Sequence, residues 1–256
     1  LFIGAGPALA QNVYVTTDYM RVAPAKVQAY LDLEQKTWKP YHQALVAAGK
    51  RLSWALYAVA SPAGTEAPYN YVTVAAYAKF ADMENPYPAD ILAKVYPGKD
   101  VSTFGTQAEA TRELVRSETW QALDRVQAND KPGPRRYAVV NFMKVSGNEG
   151  DYLAVEQKVW KPIHSARVSD GHAAGWGLYA LRLPGGSGLP YNFATVDWYD
   201  NFADLENPVT NEMFKKAYPN LDDAALSILL NRTGAVRDLV RSEVWQLVDE
   251  TTPAPR

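Results

Sequence analysis

Two nine-residue phrases hold most of the groups in this chain that could do chemistry: "EQKTWKPYH", Glu34 to His42, and "EQKVWKPIH", Glu156 to His164. Each spaces a carboxylate, an indole and an imidazole four residues apart, which lines all three along one face of an uninterrupted helix. Leu31 and Leu45 share that face, so it points at a core. A Glu and a His there need partners, and each shifts the pKa of the other. His42 and His164 are therefore candidate acid/base groups, with Glu34 and Glu156 orienting them. Trp38 and Trp160 are candidate ligand walls. A packing role accounts for the same residues, with each tryptophan in the core and each histidine at a helix end. Pro40 and Pro162 are expected to kink or end the helix just before the histidine, because proline removes a helical hydrogen bond. The third histidine, His172, stands where the first phrase's half has Lys50 and reads as a loop residue.

Two further sets recur. Arg116, Glu118 and Trp120 alternate onto one face of a strand, as do Arg241, Glu243 and Trp245. On an interior face Arg116 and Arg241 could bind an anionic ligand group; on an exterior face they are cross-strand ion pairs. "PYN" occurs at 68–70 and 190–192. Tyr69 and Tyr191 then point away from Asn70 and Asn192, and the asparagines could simply hold a turn. Tyr57 and Tyr179 add phenols near the sheet.

Other chemistries are excluded or disfavoured. There is no cysteine, hence no disulfide, thiolate site or cysteine nucleophile. Three histidines without H-E-x-x-H make a poor zinc site. "GAG" at 4–6 and "GGSG" at 185–188 lack the strand-turn-helix setting of a phosphate loop, and no serine sits in a nucleophile elbow. The net charge of −2, from interspersed signs, argues against nucleic acid or an anionic membrane as partner. No segment reads as a membrane span. "LFIGAGPALA" resembles the end of a signal region with a cleavage point before Gln11, so the chain is expected to be exported, periplasmic or secreted.

The elements that must position these groups follow from a repeat. "FADMENP" at 80–86 and "FADLENP" at 202–208 are 122 residues apart, as are His42 and His164, while "LVRSETW" and "LVRSEVW" are 125 apart. The chain reads as an internal duplication: a leader at 1–10, repeats at 11–128 and 135–256, and a Pro/Gly-rich linker at 129–134. In the first repeat, 12–22 alternate like a strand, 25–48 have helical spacing, 51–60 and 69–79 read as strands, Ser102–Ala110 as a helix and 111–126 as a strand. The second repeat matches, with Asp223–Asn231 helical and Ala235–Glu250 a strand. This is the β-α-β-β-α-β ferredoxin-like order, an α+β class.

Both faces of such a sheet look apolar here, for Trp54, Leu56 and Ala58 alternate with Ala55, Tyr57 and Val59. Something must cover the second face. At this point the sequence resembles the dimeric α/β barrel superfamily, in which two ferredoxin-like units pair their sheets into one barrel, here within a single chain. That resemblance implies a choice among cofactor-independent monooxygenases, small isomerases and cyclases, haem proteins and proteins without known chemistry. Three readings stay open. The first is a cofactor-independent enzyme acting on an aromatic or polyketide-like small molecule, with a pocket in each half between the first helix and the sheet. The second is a haem protein with His42 or His164 as axial ligand. The third is a non-catalytic binding or structural module. Assembly into a homo-oligomer stays open as well.

Overall fold

The structure, a computed structural model, describes residues 12–64, 67–127, 135–206 and 209–252. The leader at 1–10 and the linker at 129–134 lie outside the described residues.

The first half runs β1 (Val13–Arg21), α1 (Val27–Leu33), α2 (Lys39–Ala47), β2 (Ser53–Ser61), β3 (Tyr71–Tyr77), α3 (Ala89–Val95), α4 (Thr103–Thr111) and β4 (Glu113–Gln127). The second runs β5 (Tyr137–Lys144), α5 (Glu149–Val155), α6 (Lys161–Ser169), β6 (Gly175–Leu183), β7 (Phe193–Tyr199), α7 (Asn211–Ala217), α8 (Asp223–Val236) and β8 (Asp238–Glu250). Hydrogen bonding orders the strands β1-β3-β2-β8-β5-β7-β6-β4 in a closed barrel, so the fold is α+β. No helix among the described residues is long and apolar enough to cross a membrane.

Within the first half β3 pairs antiparallel with both β1 and β2, and Asp18 stands opposite Thr73. Within the second half β7 pairs with β5 and β6 in the same way, and Asn141 stands opposite Thr195. Asp18 and Asn141 thus hold the same place in their sheets. The strands alternate as their side chains require: Val13, Val15 and Thr17 are buried on one face of β1, and the residues between them are half-buried on the other.

The expected helix break at the prolines does not occur. Residues 24–47 stay helical throughout, because Glu34–Trp38 widens into a π turn in which Lys39 N–H reaches back to Glu34 O. Glu156–Trp160 does the same before Pro162. Each proline then falls in the first turn of the resumed α-helix, where its missing N–H costs nothing, and the wide turn draws the carbonyl four residues back away from its ring. Tyrosines answer the carbonyls set loose. Tyr96 Oη donates to Thr37 O, and Tyr218 Oη lies 2.8 Å from Lys158 O and 2.6 Å from Val159 O. One boundary also differs from expectation: Ala235 and Val236 end α8 rather than open β8.

The chain divides into two compact units, and the division passes through β4, β6 and β8. Of the described residues, one unit holds those within 1–121, 182–184 and 246–256, the other those within 122–181 and 185–245. In the first, Met20, Tyr30, Trp54, Leu56 and Tyr77 form the core between sheet and helix; in the second, Met143, Tyr152, Trp176, Leu178 and Phe193 do so.

Candidate functional site

A cavity of about 1090 Å³ lies in the first unit between the α1–α2 helix and the sheet. Glu34, Trp38 and His42 form its helical wall, and Asp18, Trp54, Ala75, Tyr77 and Thr119 rise from the strands. Arg51 enters from the turn before β2, and Arg112 from the end of α4. The π turn does not scatter the repeated triplet: all three of its side chains line this cavity.

His42 is 4% exposed, stacked on Trp54 at 4.8 Å and on Trp38 at 6.3 Å between ring centroids. Its Nδ1 faces Nη1 of Arg51, whose Nη2 donates to Tyr77 Oη at 2.6 Å. Burial, then the adjacent guanidinium, hold the imidazole well below its ordinary pKa, so it is neutral. Glu34, also 4% exposed, is pushed up to about 7 by burial, against the pull of Arg112 and Tyr30. No ion pair joins Glu34 to Arg112, whose buried Nε makes no hydrogen bond. Burial raises Asp18 as well, although Ser117 Oγ donates to it at 2.5 Å. The cavity thus holds a carboxyl poised near neutrality, a second perturbed carboxylate, a neutral imidazole and indole walls, a set suited to moving protons on a flat molecule.

The second unit keeps the phrase and changes its surroundings. Asp197 replaces Ala75, and its Oδ1 lies 3.1 Å from His164 Nδ1 and 3.1 Å from Arg167 Nη1. Arg167, from α6, donates to Tyr199 Oη at 2.7 Å, which reproduces the Arg51–Tyr77 contact from another position. Arg237 Nε pairs with Glu156 Oε1 at 3.2 Å, and Trp160 Nε1 donates to Thr233 Oγ1 at 2.9 Å, where the cavity-lining Ala108 is the counterpart. Glu156 is likewise pushed up to about 7 by burial. His164 stacks on Trp176 at 5.0 Å.

The remaining sequence candidates do not meet the triplet. Ser117 and Thr119 line the cavity, so Arg116 and Glu118 face the other side of β4. There Arg116 Nε lies 3.1 Å from Glu118 Oε1, Arg116 Nη2 reaches Tyr69 Oη at 3.2 Å, and Tyr19 Oη donates to Glu118 Oε2 at 2.8 Å. Arg241 meets Glu243 at 2.9 Å and Tyr191 at 3.4 Å, and Trp245 Nε1 donates to Glu243 Oε2 at 2.8 Å. Asn70 clamps Val22, accepting its N–H and donating to its carbonyl at 2.8 Å each, and Asn192 does the same to Val145. Tyr57 and Tyr179 are buried on the face away from the helices. A Cβ on Gly177 would come within 2.9 Å of the Tyr179 ring and 3.0 Å of Trp198, so Gly177 makes room there for a tryptophan that is Ala76 in the first half.

Sequence reading missed Asp18, Arg51, Arg112, Arg167, Asp197 and Arg237. Arg112 and Arg237 had a signal, since the repeated "LVRSE" phrase extends leftward to "RELVRSE" and "RDLVRSE". Arg51 and Arg167 had none, because they reach equivalent places from different positions.

Haem, which the fold resemblance admits, needs a histidine nitrogen free to ligate iron. An arginine can only donate, so its partner, His42 Nδ1, is unprotonated and the ring proton sits on Nε2. A neutral histidine that ligates iron through Nε2 needs the opposite tautomer. The residues of the cavity do not fit the group.

No family model and no curated protein matches the sequence. Among solved structures the chain is similar to a candidate monooxygenase from Fusobacterium nucleatum (11% identity, TM-score 0.58, covering 97% of this chain and 98% of that one). It is also similar to an anthrone oxidase-like protein (14%, 0.54, 97% and 95%) and to a haem-binding protein from Thermus thermophilus (10%, 0.52, 93% and 92%). These likenesses establish the fold, the dimeric α/β barrel. They include a haem-binding protein and lend no support to the expectation that this chain uses no cofactor.

Proposed function

We propose that the first half is an enzyme that moves protons on a small, flat, carbonyl-bearing molecule, with Glu34 as the acid/base group. The observation that carries this reading is a carboxyl pushed up to about 7 on the wall of an aromatic cavity of about 1090 Å³. At neutral pH such a group is present in both forms, which is what general acid/base catalysis needs. This gives the repeated phrase different roles from those its spacing implied: Glu34 is the acid/base group, His42 is neutral, and Trp38 and Trp54 hold the ligand. The anthrone oxidase-like neighbour makes a polycyclic aromatic ketone a reasonable first substrate class. The two halves are read as copies of one unit, the second having lost the work of the first.

The test is solvent deuterium exchange into enolisable flat ketones, 2-tetralone and anthrone among them, followed by NMR. Wild-type protein should accelerate exchange above the buffer rate, and Glu34→Gln should lose on the order of 100-fold of that acceleration. Equal rates for the two proteins would sink the assignment of Glu34.

Haem binding is the second reading, favoured by the shared fold and opposed by the tautomer of His42. His164, with Nδ1 toward Asp197 and a free Nε2, is the other candidate ligand. Titration with haemin is expected to leave the spectrum of free haemin; a sharp Soret band lost in His42→Gln, in His164→Gln or in the double variant would reverse this. Export is proposed on the apolar Leu1–Ala10 stretch, and N-terminal sequencing of the mature protein, expected to begin at Gln11, tests it.

A further inference from the structure

We infer that Arg51 is a positioning residue that fixes His42 with its proton on Nε2, so that the cavity offers a ligand carbonyl a hydrogen-bond donor on the same helical wall as the Glu34 carboxyl. The inference rests on the reading of the cavity as a proton-transfer site and adds to it the residue that assigns the two roles.

A guanidinium has five N–H groups and no lone pair, so the imidazole nitrogen that faces Arg51 Nη1 must be the one without a proton. Arg51 cannot turn away cheaply. It is buried, its Nη2 is spent on Tyr77 Oη at 2.6 Å and on Pro86 O at 3.4 Å, and its guanidinium lies 5.0 Å from the centre of the Tyr77 ring. The ring of His42 is held in plane by Trp54 and Trp38. A cation against Nδ1 also opposes a second proton, so the imidazole is not available as an acid that switches charge.

The second half supplies the contrast. There His164 Nδ1 lies 3.1 Å from the Asp197 carboxylate, an acceptor, and 3.5 Å from Arg167 Nη1, a donor that the same carboxylate takes at 3.1 Å; the nearer acceptor puts the proton on Nδ1 and the lone pair on Nε2. The same phrase thus holds its histidine in opposite tautomers, decided by one carboxylate that the first half lacks at Ala75.

In the first half the step balances without any co-reactant. The Glu34 carboxylate takes a proton from the carbon beside the ligand carbonyl. The C–H electron pair becomes the new C=C bond, and the carbonyl π pair moves to the oxygen, which accepts the hydrogen bond from His42 Nε2–H. Return of the proton from Glu34 restores a neutral ketone. A donor at that oxygen acts where charge develops, and so lowers the barrier rather than merely tightening binding.

The experiment is a long-range ¹H–¹⁵N spectrum of the imidazoles, readable because the chain has three histidines; His42→Gln assigns the signal. Wild-type His42 should show the proton on Nε2 and His164 the proton on Nδ1. Arg51→Lys, still an obligate donor, should preserve the His42 pattern. Arg51→Met should shift it toward Nδ1–H and slow ketone exchange about tenfold, with the His164 signal as the internal check on folding. A wild-type His42 protonated on Nδ1, or on both nitrogens, overturns the inference, and so does an Arg51→Met spectrum identical to wild type. The wild-type spectrum decides even if Arg51→Met does not fold. Exchange that is absent while the wild-type tautomer is as stated would remove the proposed function and leave the tautomer assignment standing.

Discussion

The two halves write the same Glu, Trp and His and finish them differently. In the first, Glu34 and Arg112 face a shared cavity without pairing, and Trp38 lines it. In the second, Glu156 is paired to Arg237, His164 to Asp197, and Trp160 to Thr233. Both glutamates are pushed up to about 7 by burial, so the perturbation alone does not mark a site. What separates them is whether the neighbouring polar groups are spent on each other or left facing space that a ligand can fill.

That contrast can be broken most directly at the two glutamates. Glu34→Gln should cost on the order of 100-fold in ketone exchange, about 3 kcal/mol of barrier, whereas Glu156→Gln should leave the rate within about twofold. Matched losses in the two variants would mean that the halves are equivalent. The arginines give the next largest difference, now in stability. Removing one partner of a buried pair costs about 3–5 kcal/mol, so Arg237→Met should lower the unfolding free energy measured in urea by that amount, and Arg112→Met, with no pair to break, by under about 1 kcal/mol.

The pH dependence of stability sharpens the same point. A carboxyl raised from an ordinary value near 4.5 to about 7 on folding binds more protons in the folded than in the unfolded state between those limits. Stability therefore falls as pH rises through that window, and the full penalty stands above it. Glu34→Gln should flatten the slope and stabilise the protein at pH 8 by about 2–3 kcal/mol, measured by denaturant unfolding at several pH values. The smallest effect is the indole hydrogen bond. Trp160→Phe should cost about 1 kcal/mol beyond the change of ring, through loss of its bond to Thr233, and Trp38→Phe less, by thermal melting of each variant.

Much of the architecture was legible because strand alternation and helical spacing are local. The α+β order of elements follows from stretches such as 12–22 and 51–60, whose side chains must part to two faces. The passage of the first helix through Pro40 was not legible: whether a proline ends a helix or sits behind a π turn depends on a distant tyrosine, Tyr96, that can take the loosened carbonyl. For the site, the triplet Glu34, Trp38 and His42 was found by spacing and does line one cavity. Its roles could not be read from spacing, since they turn on Arg51, Asp18 and Arg112, which come from other elements. Arg116 and Asn70 recur as conspicuously as the triplet, yet one sits across the sheet among tyrosines and the other clamps a backbone. Repetition finds residues the unit needs, for packing as much as for chemistry.

The first unit includes the described residues from 246 onward. Trp54, a wall of the cavity, exchanges backbone and hydroxyl hydrogen bonds with Thr251, 197 residues further on, and Lys39 pairs with Asp249 across 210 residues at 2.5 Å. On a ribosome adding roughly 5–20 residues per second, the half that emerges first must wait about 10–40 s for the segment that finishes it. The cavity is therefore among the first parts of the molecule to be translated and among the last to be completed, and a nascent chain arrested after Trp245 should hold the whole Glu, Trp and His phrase without a finished wall to set it against.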